Sequence, residues 1–318
     1  MLYKNSQQIS RRTAMRSMAG IAALSSLTSQ GVSARQPISR DGEARFRLGL
    51  AAYSLRPKFQ FMKGKRQRLK SGDVPGMTMV DFLDYCVEMN VDGAELTSYF
   101  IAPGSDGFPT DDHLRDLRHA AFVRGLTICG TAIGNNFTVG PGEKMDREIA
   151  AAQTWIRKAS VLGAPHIRFF AGTAAQLASA PTRMDEAIAG IQKCAALAAK
   201  HGIFLGVENH GKLSADQMIQ LIRGIESRWV GINLDTGNFI SDDPYADLER
   251  CVPYAVNVQV KVTMTDEAGN RTPSDIPRIA SILRESGYQG FVVLEYEEDD
   301  RTEGIPRALE ELREALFG

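Results

Sequence analysis

Glu208, Asp235 and Glu295 each close a short apolar run, in IFLGVENHG, VGINLDTGNF and GFVVLEYEE. Such runs read as buried parallel strands, which do not ordinarily end in carboxylates aimed at one another. Like charges that converge raise each other's proton affinity or demand a cation. The chemistry implied is a metal centre or an acid–base pair. Strand alternation gives each carboxylate its neighbours. His210 shares a face with Glu208, Asn233 with Asp235, and Glu297 with Glu295, while Gln259 and Lys261 share one in NVQVKV. Glu95 closes DGAEL, and Arg168 lies in HIRFF. Facing one axis, Glu208, Asp235, Gln259 and Glu295 make a set of oxygen donors suited to a hard divalent cation such as Mg²⁺ or Mn²⁺. A blander reading competes, in which these carboxylates are held by salt bridges. Lys261 and Arg168 are then the available cations.

The elements that must position these groups follow one grammar after residue 45. An apolar strand leads to a polar loop, an amphipathic helix and a Gly-marked turn. Eight strands are expected, over Phe46–Ser54, Gly93–Thr97, Leu126–Ile133, His166–Gly172, Ile203–Asn209, Val230–Thr236, Ala255–Val262 and Phe291–Tyr296. Between them, Met79, Phe82, Leu83, Cys86 and Met89 fall on one helical face, as do Met184, Ile188, Ile191, Ala195 and Ala198. Ser214 to Gln217 reads as a capping box ahead of Met218, Leu221, Ile222 and Ile225. Ile305, Leu309, Leu312 and Leu316 mark a last helix. Alternating units of this number indicate a single α/β domain, a (β/α)8 TIM barrel, over residues 45–318. A doubly wound sheet would carry a Gly-rich phosphate turn after its first strand, where this chain reads AAYSLRP. In a barrel the strand ends share one mouth, so the carboxylates meet there. The loop from Arg56 to Gly76 follows the first strand and is rich in Lys and Arg, which makes it a lid, an anion attractor or a solvated surface loop.

The first 34 residues belong to a different regime. Arg11 and Arg12 precede an apolar, small-residue stretch from Met18 to Leu27, and Val32-Ser33-Ala34 reads as a cleavage site. This pattern resembles a twin-arginine export signal, followed by a linker over 35–44, and implies an exported, periplasmic protein. The apolar stretch is too short to span a bilayer, and no Cys follows it to anchor a lipid. A formal net charge of -1 gives no electrostatic case for nucleic acid or a membrane surface. Cys86, Cys129, Cys194 and Cys251 form no CxxC pair and read as buried structural thiols, with a disulfide as the alternative.

GLAAYSL, DGAEL, GVENHG, LDTGNF, VQVK and VLEYE, in this order, resemble the xylose isomerase-like TIM barrel superfamily, the sugar phosphate isomerase/epimerase family. The resemblance runs from Phe46 to about Leu316. It implies one divalent metal ion (Mn, Mg, Co or Zn) bound by Glu208, Asp235, Gln259 and Glu295, with Gln259 standing where the family usually has His. It also implies that Glu208 and Glu295 are the catalytic pair, one removing a proton beside a carbonyl and the other returning it. Candidates for contact with a small-molecule carbohydrate are His210, Arg168, Asn136, Lys261, Glu95 and Tyr53. Export favours an unphosphorylated sugar or keto-sugar. Elimination or hydration of a 3-keto-glycoside would use the same site, and a non-catalytic sugar-binding barrel is the alternative that Gln259 favours. The three-zinc DNA-repair branch fits poorly with five histidines in the chain. Homo-oligomerisation stays open.

Overall fold

The structure is a computed structural model and describes residues 36–62 and 76–318. The expected export signal, and residues 63–75 of the basic loop, lie outside the described residues. The barrel strands are Arg45–Ala51 (β1), Gly93–Glu95 (β2), Thr127–Ala132 (β3), His166–Phe170 (β4), Phe204–Glu208 (β5), Val230–Asp235 (β6) and Ala255–Val260 (β7). Thr263–Thr265 (β8) and Arg271–Pro273 (β9) form a separate antiparallel hairpin, and Gln289–Leu294 (β10) completes the barrel. All barrel pairings are parallel, and the ring closes in the order β1-β10-β7-β6-β5-β4-β3-β2. This is the TIM barrel that the strand pattern indicates.

Helices cover the outside: Met79–Glu88 (α1), Asp111–Val123 (α2), Glu143–Leu162 (α3), Ala174–Leu177 (α4), Arg183–His201 (α5), Ala215–Arg223 (α6), Pro244–Cys251 (α7), Ile276–Glu285 (α8) and Arg301–Phe317 (α9). None among the described residues is long and apolar enough to cross a membrane. Their buried faces largely follow the sequence pattern, although Met89 and, in α5, Met184 and Ile188 are only half-buried. In α1 these are Met79, Phe82, Leu83 and Cys86, and in α9 Ile305, Leu309, Leu312 and Leu316. Ser214 caps α6 as expected: its Oγ accepts from the Gln217 amide at 3.2 Å, and Gln217 Oε1 accepts from the Ser214 amide at 3.0 Å. Ser214→Ala should lower stability by about 1 kcal/mol in urea denaturation, because it leaves a helix N–H without its partner. All four cysteines are reduced and buried, as expected for structural thiols. Burial pushes the Cys194 and Cys251 thiols up to about 12, where they are inert.

The barrel interior has an apolar side and a polar side. Ala51, Cys129 and Val293 pack together with Phe291. Opposite them, His166, Asn233, Asn257 and Gln259 are all buried. His166 fits because β5 carries Gly206 beside it, where an added Cβ would lie 2.2 Å from the His166 Nε2. Burial, and secondarily Arg168, pushes His166 down to about 3, so it is neutral.

Residues 36–44, expected as a linker, run under the bottom of the barrel. The Ile38 amide donates to the Pro253 carbonyl at 2.9 Å. Gln289 Nε2 donates to the carbonyls of Asp41 at 2.7 Å and Glu43 at 3.0 Å. Arg40 bonds the Ala255 carbonyl and lies over the Tyr288 ring at 5.1 Å. On the same face, Gly42 and Glu43 line a crevice with Leu316 and Phe317.

Candidate active site

Strand register brings the carboxylates together. Glu208 and Asp235 are the last residues of β5 and β6, and Glu295 follows β10 directly. Asp235 pairs with Gln259 across β6 and β7, and Leu294 pairs with Val260 across β10 and β7. That register sets Lys261 beside Glu295. Glu95, Glu208, Asp235, Gln259 and Glu295 are all less than a tenth exposed, at 7%, 3%, 0%, 5% and 6%. Burial at this depth requires partners for each charge.

The partners are protein cations and amides. Arg168 Nε lies 3.0 Å from Glu208 Oε2. The Arg168 guanidinium also donates to the Ile133 carbonyl at 3.0 Å and rests on the Phe170 ring at 3.9 Å. Lys261 Nζ lies 3.3 Å from Asp235 Oδ2, 3.5 Å from Glu295 Oε2 and 3.0 Å from Glu297 Oε2. Asn238 ties the two halves: it donates to Glu208 Oε1 at 3.0 Å and accepts from Lys261 Nζ at 3.1 Å. Asn209 braces β5 against β6, donating to the Asp235 carbonyl at 2.9 Å and accepting from its amide at 2.8 Å. A ladder of side-chain amides climbs the interior. Asn257 donates to Asn233 at 2.8 Å, Asn233 to Gln259 Oε1 at 3.1 Å, and Gln259 Nε2 to Asp235 Oδ2 at 3.3 Å.

Carboxylates crowd this mouth and hold their protons tightly. Burial pushes Glu208 up to about 6, although Arg168 opposes it. Burial pushes Asp235 up to about 7 against the pull of Lys261. Glu295 is raised for the same reason, again opposed by Lys261. Burial also lowers the proton affinity of Lys261, but Asp235, Glu295 and Glu297 outweigh it and hold the ammonium firmly charged. Glu95 goes up to about 7 through burial, with its Oε1 unpartnered among the described residues and its Oε2 accepting from Thr97 at 3.2 Å.

A carboxyl raised on folding binds its proton more tightly in the folded state. Its stabilising contribution is therefore complete below its unfolded value, 4.5, and is lost as pH rises through about 7. Glu95→Gln should thus gain stability relative to wild type across that window, by roughly 1–3 kcal/mol at neutral pH. Parallel urea titrations of the two proteins at several pH values would measure it, and a constant difference would contradict it.

The other sequence candidates fall in different places. Tyr53, expected in the first strand, instead lies half-buried in a 3-10 turn, Ala52–Leu55, just after β1, edge-on to Tyr99 at 6.4 Å and under Arg56 at 4.9 Å. His210 stands at the rim, its ring tilted against Phe170 with centroids 4.4 Å apart. Partial desolvation, with Arg168 and Lys261 nearby, lowers its proton affinity. Asn136 is engaged within its own loop. Its Oδ1 accepts from the Thr138 amide at 2.8 Å and its Nδ2 donates to Gln176 at 3.2 Å, so the side chain shapes the turn after β3. Arg56, from the basic loop, reaches Glu297 at 3.1 Å. Asn238, Asn257, Tyr99 and His166 were not among the sequence candidates. Period-two alternation from Gln259 and Arg168 points to Asn257 and His166, whereas nothing in the sequence marks Tyr99.

As arranged, this donor set does not fit the divalent metal that the resemblance implies. Gln259 turns its Nε2, not its oxygen, toward Asp235, and its oxygen already accepts from Asn233. A dication shared by Asp235 and Glu295 would sit beside the fixed Lys261 ammonium. Among the described residues, no three His, Cys, Asp or Glu side chains converge as a metal cluster.

Solved structures with the same fold include a xylose isomerase domain protein from Planctomyces limnophilus, 16% identical over 87% of this chain and 99% of that one, with a TM-score of 0.63. D-psicose 3-epimerase from Clostridium cellulolyticum H10 is 14% identical over 85% and 96% of the two chains, with a TM-score of 0.63. The 3-keto-D-glucoside 4-epimerase from E. coli is 15% identical over 85% and 100%, with a TM-score of 0.60. None of the curated protein sequences matches this chain. The sequence model of one family does match, over residues 83–315, and the chain belongs to that family, the xylose isomerase-like TIM barrels.

Proposed function

We propose that the protein isomerises or epimerises a keto-sugar or keto-glycoside by moving a proton at the carbon beside the carbonyl. The observation that carries this reading is the pair of buried glutamates, each facing a protein cation: Glu208 meets Arg168 at 3.0 Å, and Glu295 meets Lys261, shared with Asp235 and Glu297, at 3.5 Å. They stand three strands apart round the mouth, so a sugar lying between them meets a carboxyl on two sides. Burial raises the proton affinity of both, Glu208 up to about 6, which favours carboxyls that exchange protons with a substrate. Glu208 takes the proton, and Glu295 returns one to the other face. Arg168 orients Glu208 through its Oε2, and Asn238 holds the other oxygen. Two of the structural neighbours are named as epimerases of a ketose and of a keto-glucoside, which supports this substrate class.

An unphosphorylated ligand suits the mouth, because Arg56, Arg168 and Lys261 each already meet a carboxylate. The export signal expected in the first 34 residues points the same way. The test is exchange of the proton beside the carbonyl into deuterated water, followed by NMR on a panel of ketoses and 3-keto-glycosides. Exchange with an epimer as product supports the reading. An unsaturated product would instead indicate elimination through the same enolate. Saturable binding with no exchange would indicate a sugar-binding barrel.

A further inference from the structure

Lys261 is built into this site more firmly than an ordinary surface lysine. Its amide donates to Thr236 Oγ1 at 3.1 Å, and its carbonyl accepts from Ser274 Oγ at 2.7 Å. Its stem crosses Gly237, where an added Cβ would lie 2.8 Å from Lys261 Cβ and 3.0 Å from Cδ. Only a glycine in LDTGNF lets the chain lie there. The ammonium then meets Asp235, Glu295, Glu297 and Asn238 oxygens at 3.0–3.5 Å. Each carboxylate that a metal would take is therefore already matched by a protein group. Asp235 has Lys261, the Gly237 amide at 2.9 Å and Gln259 Nε2; Glu208 has Arg168 and Asn238; Glu295 has Lys261. The amide ladder ends on a donor aimed at Asp235. Reversing it would press an amide oxygen against that carboxylate.

We propose that the Lys261 ammonium is the resident cation of this site, and that it replaces a divalent metal. It neutralises Asp235 and Glu295 and holds the substrate's carbonyl oxygen as negative charge develops there. This role rests on enolisation at the site. The C–H bond beside the carbonyl breaks, its electron pair forms the carbon–carbon double bond, and the carbonyl pair moves onto oxygen. One Lys261 N–H, turned from the protein oxygens it otherwise meets, hydrogen-bonds that oxygen, and the ammonium keeps its protons. Glu208 carries off the substrate proton, and the Glu295 carboxyl delivers one to the opposite face. Solvent then restores the two carboxyls, so atoms and charge balance with no redox partner.

The experiment titrates wild-type protein with Mn²⁺, Mg²⁺, Co²⁺ and Zn²⁺ after treatment with a chelator, following metal uptake and melting temperature. The same samples are assayed for proton exchange. The expected result is no saturable uptake, an unmoved melting temperature and exchange that survives the chelator. Lys261→Met should slow exchange on the order of 10²–10³-fold. Lys261→Met combined with Gln259→His should acquire a saturable Mn²⁺-dependent rise in melting temperature. If these variants fail to fold, the wild-type titration still decides. Uptake of one metal per chain by wild type, or exchange lost to the chelator and restored by Mn²⁺, overturns the assignment of Lys261. Exchange absent under every condition overturns the enolisation reading itself, and with it the catalytic half of this role.

Discussion

Arg168→Met should cost about 3–5 kcal/mol of stability, because it strands a buried carboxylate. Glu208 is only 3% exposed, and its other neighbours are neutral amides, Asn238 at 3.0 Å and Asn233 at 3.5 Å. The change also removes the hydrogen bond to the Ile133 carbonyl and the contact with Phe170. Glu208 can relieve part of the strain by taking up a proton, since burial already pushes it up to about 6. The loss should therefore be larger at pH 8 than at pH 5. Urea denaturation at the two pH values measures both quantities. Pairing the change with Glu208→Leu should recover most of the loss, because two apolar groups replace an ion pair that gains little over its desolvation. A single-variant loss below about 1 kcal/mol would mean that the pair is not shielded from water.

Glu208→Gln and Glu295→Gln should each reduce epimer formation by about 10²–10⁴-fold, the usual worth of a positioned general acid or base. The two variants should nonetheless differ. With Glu295 replaced, Glu208 can still remove the substrate proton, exchange it with solvent and return it to the same face. Label then enters the starting sugar without inversion. With Glu208 replaced, label entry into that sugar should fail, while the opposite epimer shows the mirrored pattern. Isotope incorporation read separately in substrate and product distinguishes them. Identical behaviour would argue for a single base and a sugar that turns over in the site. Glutamine keeps the size and much of the hydrogen bonding of glutamate, so folding is less exposed here than in the arginine variant.

Much of this arrangement was readable from residue order alone. Apolar runs ending at Glu208, Asp235 and Glu295 located the strand ends, and a closed parallel barrel makes those ends converge. Alternation correctly put Gln259 and Lys261 on one face. It could not say that Lys261 reaches sideways to two other strands, because that depends on the register of β6, β7 and β10. The sequence left open whether these carboxylates await a metal or are held by Lys261 and Arg168. The geometry places both cations among them. The β8–β9 hairpin escaped notice because three-residue strands carry no period to detect. Its turn, Asp266 to Asn270, is closed by the Asn270 amide donating to Asp266 Oδ1 at 2.8 Å, a contact of the kind that short polar residues make in most loops. Asn136 illustrates the same limit, since an asparagine that closes a turn and one that meets a sugar look alike in a sequence.

The crevice beneath the barrel, where Gly42 and Glu43 face Leu316 and Phe317, brings the two ends of the folded unit to one place. That place is the pole opposite the carboxylates. A tether from Phe317 to the segment ahead of Ile38 would therefore give a circular permutant that keeps every strand pairing and the contacts of Arg40 and Asp41. An affinity tag or an immobilising linker fused at either end of the folded unit would leave the carboxylate-bearing pole unobstructed. Starting the chain at Arg45 instead, where the first strand begins, would strip Arg40 from Tyr288 and leave the side chain of Gln289 without the carbonyls it binds.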